Sequence, residues 1–217
     1  NTLLENLSFA STEGLTLGRN RIGDNVEDDS LPKVGNAIIR GILLKLRDAS
    51  AIVVKDRINR EGFTQTLDFR KTGGYWLNAL ETFPYRSSKI ETLHFENQVE
   101  RDFTILLINS SLFYLYWSTY SNLRDFPLSL LAKFPFPPLD TLNTHSTEIA
   151  NLKNRVSQCL RSNYVSHRAT DSGRVGEFRT AECRAEIDEI DDLIGAMYGL
   201  NATEIAFVKH YDSHIRR

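Results

Sequence analysis

Five groups of residues carry side chains whose types and spacing could do chemistry. His210 and His214 lie four apart on a helical pattern with Asp212 between them, a spacing that can seat two imidazoles on one metal ion. At that spacing Asp212 faces away from both, and the sequence offers no third ligand. Glu186, Asp188, Glu189, Asp191 and Asp192 could be read as paired carboxylates. They interleave with Ile187 and Ile190, so the expected reading is the solvated face of an amphipathic helix. Ser110 and Ser111 lack the glycine elbow of a nucleophilic serine. Within an apolar helix they are expected to pack closely or to bond back to helix carbonyls. Cys159 and Cys183 stand outside any CxxC spacing, so neither a disulfide framework nor a thiolate zinc site is expected, and two separate thiols fit a reducing cytoplasm.

A fifth set is basic and sits among turn residues: Arg70, Lys71, Thr72, Gly73 and Gly74, then Arg86, Ser87, Ser88 and Lys89, then Arg124. Clustered Lys and Arg attract phosphate, Ser and Thr can bond phosphate or base edges, and glycine lets backbone approach a ligand closely. Tyr75 and Trp76, beside the glycines, could lie against a sugar, but core packing is the expectation for both. Charge along the chain agrees with this placement. Residues 1–30 hold 2 basic and 6 acidic side chains, residues 31–138 hold 14 and 10, and residues 139–217 hold 10 and 12. The middle stretch is electropositive although the chain as a whole is at −2.

The elements that must hold these residues follow from periodicity. Ile38, Ile39, Ile42, Leu43 and Leu46 form one face of a helix of three turns after Asp28, Asp29, Ser30 and Pro32. Residues 51–58 and 64–69 read as short strands, Gly73-Gly74 as a turn, and 89–95 as a further strand. One long apolar helix is expected through Val99, Phe103, Leu106, Leu107, Phe113, Tyr114 and Trp117. The Phe134–Pro138 run, with three prolines, reads as an extended connector and a domain boundary. Beyond it, Ile149, Leu152, Val156 and Cys159 form one helical seam, matched by Ile187, Ile190, Ile194 and Met197. Residues 166–176, rich in Ser, Gly and Arg, would be the turn of that antiparallel helical hairpin. Asn201 and Glu204 are spaced as a capping box for a last helix. The fold class expected is α+β: a small mixed recognition domain over 31–138, a helical hairpin with a short C-terminal helix over 139–217, and an acidic tether over 1–30. The longest apolar stretch, 105–117, is too short to span a membrane.

Several of these stretches in order carry a resemblance. LPKVGNAIIRGILLKL (Leu31–Leu46), FRKTGGYWLNAL (Phe69–Leu80), the run Leu106–Phe136, and EIDEIDDLIGAMYGLNATEIAFVKHYDSHIRR (Glu186–Arg217) resemble the C-terminal specificity regions of type IIG adenine-specific DNA methyltransferases. The FPFPP connector leading into a long helix is similar to specificity subunits of type I restriction systems. The resemblance implies a module that reads double-stranded DNA in a prokaryotic cytoplasm, for an upstream methyltransferase domain of the same polypeptide. That domain would bind S-adenosylmethionine, with Mg added where the parent also cleaves DNA. The family's glycine-containing cofactor loop, its Asn-Pro-Pro-Tyr motif and a nuclease Asp…Glu-x-Lys set are all missing from the sequence. This chain is therefore expected to bind and not to catalyse, with no cofactor, metal or membrane partner of its own. The absence of an initiating Met fits a piece of a longer protein. A nuclease remnant and a coiled-coil interaction module are the alternatives.

Overall fold

A computed structural model of the chain describes residues 33–59, 62–170 and 173–216; the expected acidic tether over 1–30 lies outside the described residues. Helix α1 (Ala37–Ala49) opens where the Asn36 side chain accepts from the Ile39 amide at 2.9 Å, meeting one of the free donors of a helix start. Its Ile39, Ile42 and Leu46 stripe is buried. The expected strand over 51–58 is mostly something else: a 3-10 turn at Val54–Asp56 followed by the two-residue β1 (Ile58–Asn59). The β-type composition there serves a buried crossing, since Val54 N donates to Phe134 O at 3.0 Å and Phe136 N to Ile52 O at 2.8 Å.

Strands β2 (Gln65–Arg70), β3 (Ala79–Leu80) and β4 (Ile90–Phe95) complete an antiparallel sheet in the order β1-β4-β2-β3. The β2–β4 register pairs Leu67 with Leu93 and Arg70 with Ile90. The last residues of β2 and the first of β4 therefore share one end of the sheet. On the inner face, Leu67, Phe69, Leu93 and Phe95 are buried in contact with α2 (Gln98–Asn109). Asn109 ties helix to sheet: its amide donates to Ala79 O at 2.8 Å and its carbonyl accepts from Ala79 N at 3.4 Å.

The single long helix expected through Trp117 is broken at Ser110, where α2 ends and α3 (Ser111–Tyr120) begins. Ser110 adopts extended backbone, its hydroxyl donates to Leu107 O at 2.7 Å, and the same oxygen accepts from Phe113 N at 3.0 Å. Back-bonding serine was foreseen; the turn it makes between two helices was not. Short helices α4 (Leu128–Ala132) and α5 (Leu139–Thr144) bracket the proline run. Phe134 and Phe136 are fully buried in a core that is continuous from Ile39 to Val208, so the described residues before and after the proline run share one apolar interior.

Helices α6 (Ser146–Ser162) and α7 (Arg184–Met197) form the expected antiparallel pair, as the opposed contacts Cys159 to Cys183 and Arg155 to Glu189 require. Between them the expected turn is instead a two-stranded ribbon, β5 (Tyr164–Thr170) and β6 (Gly173–Phe178), with a bulge between Ser166 and Arg168. Its base is held by aromatic contacts: Tyr164 against Phe178 and Tyr85, and Phe178 against Phe83. The two cysteines are disulfide-bonded across that base, Cα to Cα 5.8 Å, which corrects the expectation of separate thiols. The 24-residue gap between them gave no sequence sign, because only the ribbon brings the end of α6 back to the 3-10 turn before α7. Helix α8 (Ala202–His210) starts at a capping box: Glu204 N donates to Asn201 Oδ1 at 3.0 Å and Asn201 N to Glu204 Oε2 at 2.8 Å.

Candidate functional site

At the end of the sheet where β2 leaves and β4 enters, three stretches distant in sequence meet. Beyond the last β2 pair, Lys71 N donates to Lys89 O at 2.7 Å, and Ser87 closes the turn before β4 by accepting from Ile90 N at 3.0 Å and, through its hydroxyl, from Lys89 N at 3.2 Å. On its other side the 70–74 stretch is tied to the loop after α3. Phe126 N donates to Lys71 O at 2.8 Å, Thr72 bridges to Asp125, and Gly73 N donates to Arg124 O at 2.7 Å. Arg70, Lys71, Thr72, Gly73, Gly74, Arg86, Ser87, Ser88, Lys89 and Arg124 are thus brought onto one edge of the molecule. Arg70, Arg86, Ser88, Lys89 and Arg124 are exposed there, while Lys71, Thr72, Gly73 and Ser87 are half-buried.

Local chemistry explains the loop shapes. Gly73 is required by close approach: a Cβ at that position would lie 2.1 Å from the Trp117 ring, and Trp117 in turn donates from Nε1 to Asp125 O at 2.9 Å. The indole is the floor on which both loops rest. Asn122 folds the second loop by accepting from Arg124 N and Asp125 N, both at 2.9 Å, an arrangement that Asn adopts readily in turns. Arg86, Ser87, Ser88, Ile90 and Thr92 line a shallow hollow of about 260 Å³. Beneath it, buried Asp68 accepts from Thr92 Oγ1 at 2.6 Å and from Phe83 N at 3.1 Å. Positive charge at this edge is only partly answered: Lys71 Nζ lies 3.8 Å from Glu91. Burial pushes the Tyr85 phenol up, with Arg70 pulling the other way.

Two basic residues at this edge carried no sequence signal. Lys33 N donates to Thr119 O at 3.0 Å and its ammonium to Ser121 O, beside the Arg124 loop. Arg216 is 3% exposed, with its guanidinium 4.1 Å from the Trp76 ring and 4.1 Å from the Tyr114 ring, and Nε donating to Tyr75 O at 3.0 Å. Burial lowers its pKa to about 10, which leaves it charged at neutral pH. A C-terminal arginine reads in sequence as a free surface charge; an arginine between two aromatic planes is visible only when the chain is folded. Trp76 packs against the core as foreseen. Tyr75, expected inside, is 61% exposed, with its carbonyl held by Arg216.

The other candidates resolve differently. Asp191, read as part of a solvated acidic face, is buried. It accepts from Ser111 N at 2.8 Å and Leu112 N at 3.2 Å at the start of α3, and burial raises its pKa to about 6. The sequence did hold a clue: Asp191 is four residues after Ile187, on the apolar stripe. His210 and His214 are both exposed, and no metal-type cluster of side chains occurs among the described residues. A second hollow of about 650 Å³ is lined by Glu81, Asn154, Ser157 and Arg161. Its charges are already engaged, with Lys153 Nζ 2.7 Å from Glu81 and 3.9 Å from Asp102, itself 2.7 Å from Arg101. That network answers its own charges, whereas the edge bearing Arg86, Lys89 and Arg124 leaves most of its own open to solvent.

No family model, curated protein or solved structure matches the chain.

Proposed function

We propose that the chain is a DNA-reading module that contacts double-stranded DNA through the sheet edge formed by residues 70–74, 86–89 and 122–126. The observation that carries the reading is the convergence of two basic stretches, Arg70–Gly74 and Arg86–Lys89, and the loop bearing Arg124, separated by up to fifty or so residues, onto one edge. Exposed Arg and Lys there would neutralise phosphates and set register. Arg86 or Arg124 could read guanine through paired bonds in the major groove, where each base pair shows a distinct donor and acceptor pattern. The reading agrees with the sequence resemblance, and under it the chain serves an upstream S-adenosylmethionine-dependent adenine methyltransferase domain in a prokaryotic cytoplasm. The Cys159–Cys183 disulfide pulls against that compartment, since structural disulfides are rare in reducing cytosol.

The test is selection of the protein's ligands from a random-sequence duplex library at low and near-physiological salt, followed by sequencing. Enrichment of a short motif that survives the higher salt is the expected result; binding without a motif, or none, would overturn it. Incubation with Mg in the same experiment decides the nuclease alternative by cleavage. The interaction-module alternative is disfavoured by one feature: the seams it would use, Ile149, Leu152 and Val156 with Ile187, Ile190 and Ile194, are buried within this chain.

A further inference from the structure

Among the described residues, five large apolar side chains are exposed, and two of them, Tyr75 at 61% and Leu123 at 52%, sit on the two loops joined by the Gly73–Arg124 bond. Leu123 is exposed in an unfavourable backbone conformation. Its φ is 62°, in the left-handed region that an L side chain resists and glycine enters freely. The surroundings hold it there: Ser121 Oγ accepts from Leu123 N at 3.0 Å, and Asn122 Oδ1 takes the next two amides. A leucine at this position is left more than half exposed in return, so the fold alone gives little reason for it. Tyr75 is held outward in the same way. Its carbonyl is bonded by Arg216, whose guanidinium is clamped between Trp76 and Tyr114, and two residues earlier Gly73 lies against the Trp117 ring. Arg124 follows Leu123 directly with Asp125 next to it, the Lys33 ammonium donates to Ser121 O at the start of the same loop, and Lys71 precedes Tyr75 by four residues.

We infer that Tyr75 and Leu123 form an apolar wedge which presses into a base step of bound duplex DNA, with Arg216 as the positioning residue that sets Tyr75. The inference rests on the DNA-reading role proposed above. Apolar side chains on a basic surface unstack a base step and bend the duplex, at a cost repaid by the added contact. A phenol on a pinned backbone has few rotamers to lose on binding. The flanking cations favour a polyanion over an apolar protein partner at this corner.

The experiment uses the full chain and a duplex recovered from the selection above, with 2-aminopurine placed at successive positions. Wild-type binding is expected to raise the fluorescence at one step, reporting unstacking. Leu123→Gly and Tyr75→Ala should each abolish that rise and weaken binding about ten-fold, with the salt slope unchanged because an apolar contact releases no counter-ions. Leu123→Gly should melt no lower than wild type, since glycine suits the backbone, which separates loss of contact from loss of fold. Arg216→Lys keeps the charge but not the planar stack; it should raise amide exchange at residues 74–76 and reduce the fluorescence signal without changing the slope. If wild type binds the duplex and no step brightens, or if Leu123→Gly binds and unstacks as wild type does, the wedge is wrong and the DNA-reading role survives. If wild type binds no duplex at low salt, both fall together.

Discussion

At Asp191 the fold holds a carboxyl group out of water at the start of α3, with Oδ1 bonded to two amides and Oδ2 without a hydrogen-bond partner. Burial outweighs those bonds and lifts the pKa from 3.8 to about 6. A raised acid favours its neutral form in the folded state. Its contribution is therefore fully present below about pH 4 and lost as pH rises through about 6, a difference of about 3 kcal/mol at neutral pH. Asp191→Asn keeps an acceptor for Ser111 and removes the buried charge. Its melting temperature should exceed wild type at pH 7 and converge with it near pH 4; parallel melting curves across that range would show the carboxyl is not the titrating group. Arg216 makes the opposite case, a buried charge made acceptable by aromatic faces on both sides. Arg216→Ala should cost about 2 kcal/mol of stability from the desolvated cation–π contacts, measured by denaturant unfolding, and no loss would mean the stack is incidental. Of these two residues, Asp191 was within reach of sequence reasoning through its spacing from Ile187. Arg216 was not, because its partners, Trp76 and Tyr114, are a hundred and forty and about a hundred positions away.

Between elements, the lesson lies in which signals are local. The α1 stripe, β2, β4, the α6 and α7 seams and the Asn201–Glu204 box were legible because each is fixed by spacing within one element. The break at Ser110 was not, since the apolar pattern runs on through it while a hydroxyl redirects the chain. The β5–β6 ribbon was missed for the reverse reason: Ser, His, Arg, Thr and Gly carry no alternating apolar pattern, and the aromatic contacts at its base are made by Tyr164 and Phe178 with residues distant in sequence. Ser110→Ala removes the cap of α3 and should cost about 1 kcal/mol, read from the shift in unfolding midpoint. The disulfide closes the loop that contains the ribbon. Reduction, or Cys159→Ser with Cys183→Ser, should lower stability by about 3 kcal/mol on the loop-entropy account and speed amide exchange in residues 164–178. A midpoint that does not move on reduction would mean the aromatic base alone holds the ribbon.

For the whole molecule, the excess of basic residues between 31 and 138 was legible from composition, yet which of them face one partner was decided by topology. The sheet register puts Arg70 beside Ile90, the loop bond puts Arg124 beside Gly73, and the continuous core fixes both against α3. On the helical side several cations are paired: Arg155 donates to Glu189 at 2.7 Å on the outer face of α6 and α7, and Lys45 lies 2.6 Å from Glu204. This division makes a prediction about binding that net charge cannot make. If the sheet edge is where phosphate is met, Lys89→Ala and Arg124→Ala should each flatten the dependence of log affinity on log salt by about one unit, because each neutralised phosphate releases roughly one counter-ion. Arg155→Ala removes the same formal charge from a face that does not meet DNA, so its slope should match wild type. Titrations of the three variants against one duplex over a range of salt separate the two faces. Equal slopes for all three would mean that binding follows total charge and that the sheet edge has no special part in it.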